Sequence, residues 1–339
     1  MADQVKIFDR YGAALAELQV DTVRAWRLRD AGTCSFTISK IAEPGKTQKC
    51  TAENLAYRNL ILVESDKVQS WAGYLGREPY TEDEESVTVT AIGAERLFDL
   101  RLTGANDVLT GASGAIALIL AGNAQSEETL GITVSSDNFE AVSDSITRDY
   151  DKEPIVKALN DLARDTNSYW WIEGAAVSGN LALTMHWRAN RGGTFLQWLE
   201  EGGNMSVVNY SEEGRVYSRV TAWGKFEEWS APLIVSVTDA DALAAYGLIE
   251  LPLPMLTIAD EGSLAVIAQA TLDQVKIQRK VVTGEILKAP YPQVGDMATV
   301  RLMKYSLGAG GFGGNFAMRV QATSFDSKRN AQKVVLRET

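Results

Sequence analysis

The stretch SLGAGGFGGNF, residues 306–316, holds five glycines between Gly308 and Gly314, with Phe312 among them. Glycine at this density lets a backbone wrap a phosphate, or lets a long loop turn. A phosphate cradle needs its glycines to follow a strand and open a helix, whose N-terminal amides hold the anion. Here Phe316, Met318, Val320 and Ala322 alternate with Ala317, Arg319, Gln321 and Thr323, which is the period of a strand. Strand, glycine loop, strand is a long hairpin, so no nucleotide site is expected.

Other residues able to do chemistry are sparse. The chain's one histidine, His186, sits in LALTMHWR on a face shared with Thr184 and Arg188, while Leu183, Met185 and Trp187 face the other way. A catalytic histidine needs a nucleophile and an orienting acid in hydrogen-bond reach. No GxSxG elbow accompanies it, and an ordinary surface or interface histidine is expected. Zinc needs several His or Cys ligands, which one histidine and the two cysteines Cys34 and Cys50 do not readily supply. The acidic run Glu82-Asp83-Glu84-Glu85 lacks the staggered ligands and glycine bend of a calcium loop, and consecutive acids on a turn are normally solvated. Glycosidases need two carboxylates across a cleft, and nothing in the sequence marks such a pair. Eight tryptophans are scattered along the chain, and packing in cores and interfaces is their expected role. No catalytic residue, cofactor or metal is expected, and the chain does not read as an enzyme.

The elements that position these residues fall into blocks. In VRAWRLRDAGTCSFTIS two strands are expected around an Asp30-Ala31-Gly32 turn, with Cys34, Phe36 and Ile38 on one face of the second. YRNLILVE, QSWAGYLGR and SVTVTAIG follow as strands, the last two separated by the turn EPYTEDEE, and AERLFDLRL closes the unit as a short helix. Beyond residue 104 the texture becomes helical. SGAIALILAGNA is one helix and EPIVKALNDLARDT another, with Pro154 in its first turn and Ile155, Leu159 and Leu162 at i, i+4 and i+7. SYWWIEG and LALTMHWR then form strands about a Gly-Asn turn. MSVVNYS and RVYSRVTAWGKF resume the β pattern, and a helical insert follows at 239–280, with Leu264, Ile267, Ala268, Thr271, Leu272 and Val275 in one stripe. KVVTGEIL, GDMATVRL, NFAMRVQATSF and QKVVLRET end the chain as strands. The strand, loop, strand, charged turn, strand layout of the first unit returns in the last.

Composition narrows function. The net charge of −11 argues against neutralising nucleic-acid phosphates or an anionic membrane. The most apolar run, AIALILA, is far shorter than the roughly 20 residues that span a bilayer. Two cysteines without CxxC spacing and no apolar leader point to a soluble product made inside the cell.

The order of these pieces resembles the hub proteins of long-tailed phages and related contractile injection systems. IFDRYGAALAEL, AWRLRDAGTCSFTIS, NLILVESDKVQSWAGYL and VTVTAIGAERLFDLR are similar to that family's opening, IVKALNDLARDTNSYWWIEG to its inserted domain, and GDMATVRL to a late strand. The resemblance implies an α+β, mainly β fold of two tail-tube-like β-barrel domains with inserted helical α/β material. Its expected division is 1–103 for the first barrel, 104–204 for the inserted α+β domain, 205–238 with 281–339 for the second barrel, and 239–280 for the helical insert. It further implies a homotrimeric ring at a virion's tail tip or baseplate, made in the host bacterial cytoplasm. That ring would match a six-fold tail tube or distal tail protein above to a three-fold central spike or fibre below, with a tape-measure protein as neighbour and DNA only passing through. A receptor- or carbohydrate-binding tail protein and a tail-associated cell-wall hydrolase are the alternatives. In the hub reading the glycine hairpin sits at a barrel end, and Gly310, Phe312 and Gly313 form a partner-docking loop with Phe312 as anchor.

Overall fold

In a computed structural model, residues 3–28, 30–39, 53–82, 85–142, 145–225, 233–302 and 314–339 are described. The first block builds β1 (Asp3–Phe8), β2 (Ala14–Val20), β3 (Thr22–Arg27), β4 (Asp30–Ser39), β5 (Leu60–Glu64), β6 (Trp71–Glu82) and β7 (Ser86–Gly93), followed by a 3-10 helix, Ala94–Leu100. Next come β8 (Asp107–Gly111), α1 (Ser113–Asn123), β9 (Ile132–Thr133), β10 (Ile146–Tyr150), α2 (Ile155–Asp165), β11 (Tyr169–Val177) and β12 (Asn180–Arg188). The chain continues through β13 (Thr194–Glu200), β14 (Met205–Glu213), β15 (Arg219–Trp223), β16 (Ile234–Thr238), α3 (Ala240–Tyr246), β17 (Glu250–Pro254) and α4 (Glu261–Val275). It ends with β18 (Arg279–Ile286), β19 (Met297–Leu302), β20 (Gly314–Asp326) and β21 (Ala331–Glu338).

The architecture is mainly β, and one sheet dominates it. Its strand order is β14-β18-β21-β20-β3-β4-β7-β6-β5-β1-β2, with β19 beside β20 and β13 beside β19. Each half of this sheet ends in two strands that are consecutive in sequence: β2 and β3 are separated by Asp21, and β13 and β14 by Glu201–Asn204. Among the described residues no ladder joins β2 to β3 or β13 to β14, so neither half is closed by main-chain hydrogen bonds. The halves are linked where Val23–Arg27 of β3 pairs with Ala322–Asp326 of β20.

Burial explains why these residues form these strands. Val5, Ile7, Cys34, Phe36, Ile38, Ile61, Val63, Val320, Val334 and Leu336 share one core that runs through both halves. In β5 the neighbours alternate: Ile61 and Val63 enter this core, while Leu60 and Leu62 enter a second one. That second core holds Ile116 and Leu120 of α1, Ile155, Leu159 and Leu162 of α2, and Leu183, Met185 and Trp187 of β12. A strand covered on both faces reads as a continuous apolar run, and LILVE is one. A third, smaller core packs Val220 and Ala222 of β15 on Leu264, Ile267, Ala268 and Leu272 of α4.

Three local expectations change. Arg27 pairs with Asp30, so the reversal falls earlier, and Ala31 and Gly32 belong to β4. The expected EPYTEDEE turn is largely strand: β6 continues through Pro79 to Glu82, with an irregular register between Leu75 and Tyr80 that accommodates a residue lacking an amide donor. Of residues 205–238, β14 pairs with β18 in the large sheet, but β15 and β16 pair with β17 in a sheet of their own against α4.

Charge is buried at the link between the halves. Arg24 is fully buried, and its Nη2 donates to Oδ2 of Asp3 at 3.0 Å; the Thr22 hydroxyl donates to the same oxygen at 2.5 Å. Thr22 N donates to Ser327 Oγ at 2.8 Å, and Ser327 N donates back to Thr22 O at 3.0 Å. Burial pushes the neighbouring Cys34 thiol up to about 12, so it is an inert core residue. Breaking a buried pair by removing one partner leaves an uncompensated charge. Asp3→Ala is expected to lower stability by about 3–5 kcal/mol in urea unfolding, whereas Asp3→Leu combined with Arg24→Met should recover most of that loss.

Candidate functional site

The residues singled out for docking, Gly310, Phe312 and Gly313, lie outside the described residues, but the root of their loop is well defined. Leu302 at the end of β19 pairs with Gly314 at the start of β20, so residues 303–313 join antiparallel neighbours. No helix follows, and the arrangement required of a phosphate cradle is absent there.

Beside this root runs β13, parallel to β19, with Glu200 opposite Arg301 and an ion pair of 3.3 Å between them. Phe195 is opposite Ala298 and Leu199 opposite Val300, so four steps on β13 match two on β19. Phe195 and Leu199 both pack into the core, and the extra residues between them are forced outward. Leu196 is 88% exposed and Trp198 53% exposed. Asn204 holds the bulge: its Nδ2 donates to Trp198 O at 2.8 Å and its Oδ1 accepts from Glu200 N at 2.9 Å. Thr194–Leu199 carries no charge, and Glu200 at the end of β13 is taken up by Arg301, whereas β2 and β14 carry Glu17, Glu212 and Glu213. An uncharged edge invites stray pairing unless a bulge or cap blocks it. Here Asn204 occupies Trp198 O and Glu200 N, and two apolar side chains, Leu196 and Trp198, are exposed beside them.

The tryptophans divide unevenly. Trp26, Trp71, Trp170 and Trp187 are buried, Trp171 and Trp223 are half-buried, and Trp229 lies outside the described residues. Trp198 alone among the described tryptophans is exposed, which its sequence context did not reveal. His186 faces Trp171 across the β11–β12 pair, stacked with ring centroids 5.1 Å apart. Its Nε2 is 3.4 Å from Glu173 Oε2, and no nucleophile joins them. Burial lowers the pKa of His186, helped by Arg188 and Arg191 and opposed by Glu173. In the run Glu82–Glu85 the central Asp83 and Glu84 lie outside the described residues. Among the described residues no group of three or more His, Cys, Asp or Glu could hold a metal ion, and no helix is long and apolar enough to cross a membrane.

No protein-family model matches the chain, and no curated protein matches it. Solved structures do. Prophage tail protein gp18 from Listeria monocytogenes EGD-e aligns with a TM-score of 0.62 at 9% identity, over 99% of this chain and 94% of that one. The 43 kDa tail protein of prophage MuSo2 from Shewanella oneidensis aligns at 0.58 and 12% identity, over 99% and 98%. The chain has the fold of phage tail proteins. A tail protein from Neisseria meningitidis MC58 aligns at 0.58 and 14% identity, over 100% of this chain and 97% of that one. The agreement runs end to end, inserts included, at identities where side-chain chemistry is not shared.

The His186 pair gives a signed pH dependence. A lowered folded-state pKa means the unfolded chain binds the proton more readily, so this contribution is present above the unfolded value, near 6.5, and is lost as pH falls below it. The stability difference between pH 7.5 and 5.5, measured by urea unfolding, is therefore expected to shrink in His186→Asn.

Proposed function

We propose that the protein is the structural hub of a phage tail tip or baseplate. The observation that carries this reading is the end-to-end correspondence with prophage tail proteins over nearly their whole length. In this reading three copies form a ring, a closed assembly in which one face of each copy meets a different face of the next. Residues 1–103 supply one tube-like domain per chain, and residues 194–213 with 281–339 supply the other. Three chains then present six such domains to a six-fold tail tube or distal tail protein, and a three-fold spike or fibre docks on the other side. Residues 104–193 and 219–280 are the inserts that decorate the ring. DNA crosses the ring without being bound, in keeping with the net charge of −11. The role is one of assembly in the virion, and no catalytic step is assigned to it.

Docking is assigned to the end of the second half. Gly310, Phe312 and Gly313 belong to the loop rooted at Leu302 and Gly314, and Leu196 and Trp198 flank that root on β13. Exposed tryptophans are frequent energetic anchors of interfaces.

Light scattering is expected to give a particle of three times the 36.9 kDa chain, and electron microscopy a three-fold ring; a strict monomer at high concentration that never enters a tail would refute the hub. Trp198→Ala is expected to leave stability within about 0.5 kcal/mol of the parent, as for an exposed side chain. The same change should reduce incorporation into tails, measured by its recovery with purified particles.

A further inference from the structure

Where the β1–β2 turn, the lead into β5 and the loop after α1 meet, three arginines close on one carboxylate. Arg101 Nη2 lies 3.4 Å from Glu128 Oε2, Arg58 Nη1 3.9 Å from the same oxygen, and Arg10 Nη1 3.9 Å from Oε1. Among the described residues, Glu128 is the one acid within ion-pair distance of any of the three. Asp9 is turned to the main chain, where its Oδ1 accepts from the amides of Tyr11 and Ala13 at 2.9 and 2.8 Å. Asp107 and Glu127 line a cleft beside Arg101 without reaching ion-pair distance of it.

The three arginines are engaged differently. Arg101 is used for structure: its Nε, Nη1 and Nη2 donate to the carbonyls of Ala124, Leu100 and Glu128, tying the end of α1 to the 3-10 helix. Arg10 lies over the Tyr11 ring, 4.6 Å from its centroid, and donates to its hydroxyl. Arg58 makes no side-chain hydrogen bond among the described residues, although its side chain is only 20% exposed. Its backbone has a φ of 70°, a left-handed conformation that is strained for any residue with a side chain and recurs where function requires it. Strain and a covered guanidinium without a hydrogen bond therefore coincide at one residue.

Three positive charges against one negative leave two unmatched, in a chain whose net charge is −11. Such a patch on an acidic molecule attracts anions that the rest of the surface repels. Glu128 shows which anion fits, since the planar guanidinium fork pairs with carboxylates. Arg10 and Glu128 are half-exposed, so an incoming carboxylate can reach the cluster. Tyr11, under Arg10, and Tyr57, next to Arg58, are exposed as well, and tyrosine with arginine is the composition of protein–protein interfaces. We propose that this cluster docks an acidic segment of a partner protein, whose Asp or Glu side chains take the arginine charge that Glu128 leaves unmatched. The proposal rests on the reading of the chain as an assembly component.

The test uses the full chain and the fluorescence anisotropy of a fluorescein-labelled peptide, Gly-Asp-Glu-Glu-Asp-Gly-amide, with Gly-Asn-Gln-Gln-Asn-Gly-amide as its neutral counterpart. The acidic peptide is expected to bind saturably and the neutral one not. Arg58→Gln is expected to weaken binding about ten-fold or more, as for loss of a charged donor. Glu128→Gln removes the internal competitor and is expected to tighten binding, which a cluster serving only to hold the insert would not do. Arg10→Gln provides the second arm should Arg58→Gln fail to fold. No binding, equal binding of the neutral peptide, no tightening with Glu128→Gln, or displacement of the peptide by equimolar inorganic pyrophosphate overturns the proposal. Light scattering of the same samples separates the two readings. A monomer that binds the peptide refutes the ring and keeps the site, and a trimer that ignores the peptide does the reverse.

Discussion

β20 is thirteen residues long and has three neighbours. Its first part pairs with β19, its second with β21, and its last five residues also pair with β3. Both halves of the large sheet hang on this strand, because the β3–β20 ladder is where one half becomes the other. Beneath the ladder lie Arg24 and Asp3, removed from water. Desolvating two charges offsets most of their attraction, so such a pair contributes little net stability. What it supplies is registry. Thr22, Arg24 and Ser327 reach their partners only when β1, β3 and the β20–β21 turn are correctly aligned.

The inserts depend on the same frame. β5 sends Ile61 and Val63 to one side and Leu60 and Leu62 to the other, so the first insert packs on a strand that already belongs to the large sheet's core. The second insert leans on the first: Ser263 of α4 accepts a hydrogen bond from Thr147 N of β10 at 2.6 Å, and Lys225 pairs with Asp149 at 3.3 Å.

Much of this was legible locally. The Ile155, Leu159 and Leu162 stripe of α2 and the alternation of Cys34, Phe36 and Ile38 in β4 are fixed by burial of one face, and the sequence period reports that face directly. Other features depend on residues far away in the chain. Asp30-Ala31-Gly32 has turn chemistry, but pairing of Asp30 with Arg27 of β3 draws it into a strand. Pro79 looks like punctuation, yet an irregular register lets β6 pass through it. The exposure of Trp198 follows from two extra residues on β13 relative to β19, a mismatch invisible until the strands are paired. The proposed docking end was therefore half legible: its glycine-rich stretch stands out in sequence, and Trp198 does not.

Asn204 has a consequence for life inside a crowded cell. A strand with few charges at the border of a sheet is a template on which identical copies can stack without limit, and fibres rather than rings result. By occupying Trp198 O and Glu200 N, one carboxamide blocks part of that template while leaving the indole on display. Newly made chains are then not driven to stack strand on strand along this edge, while the indole stays free for a surface shaped for it.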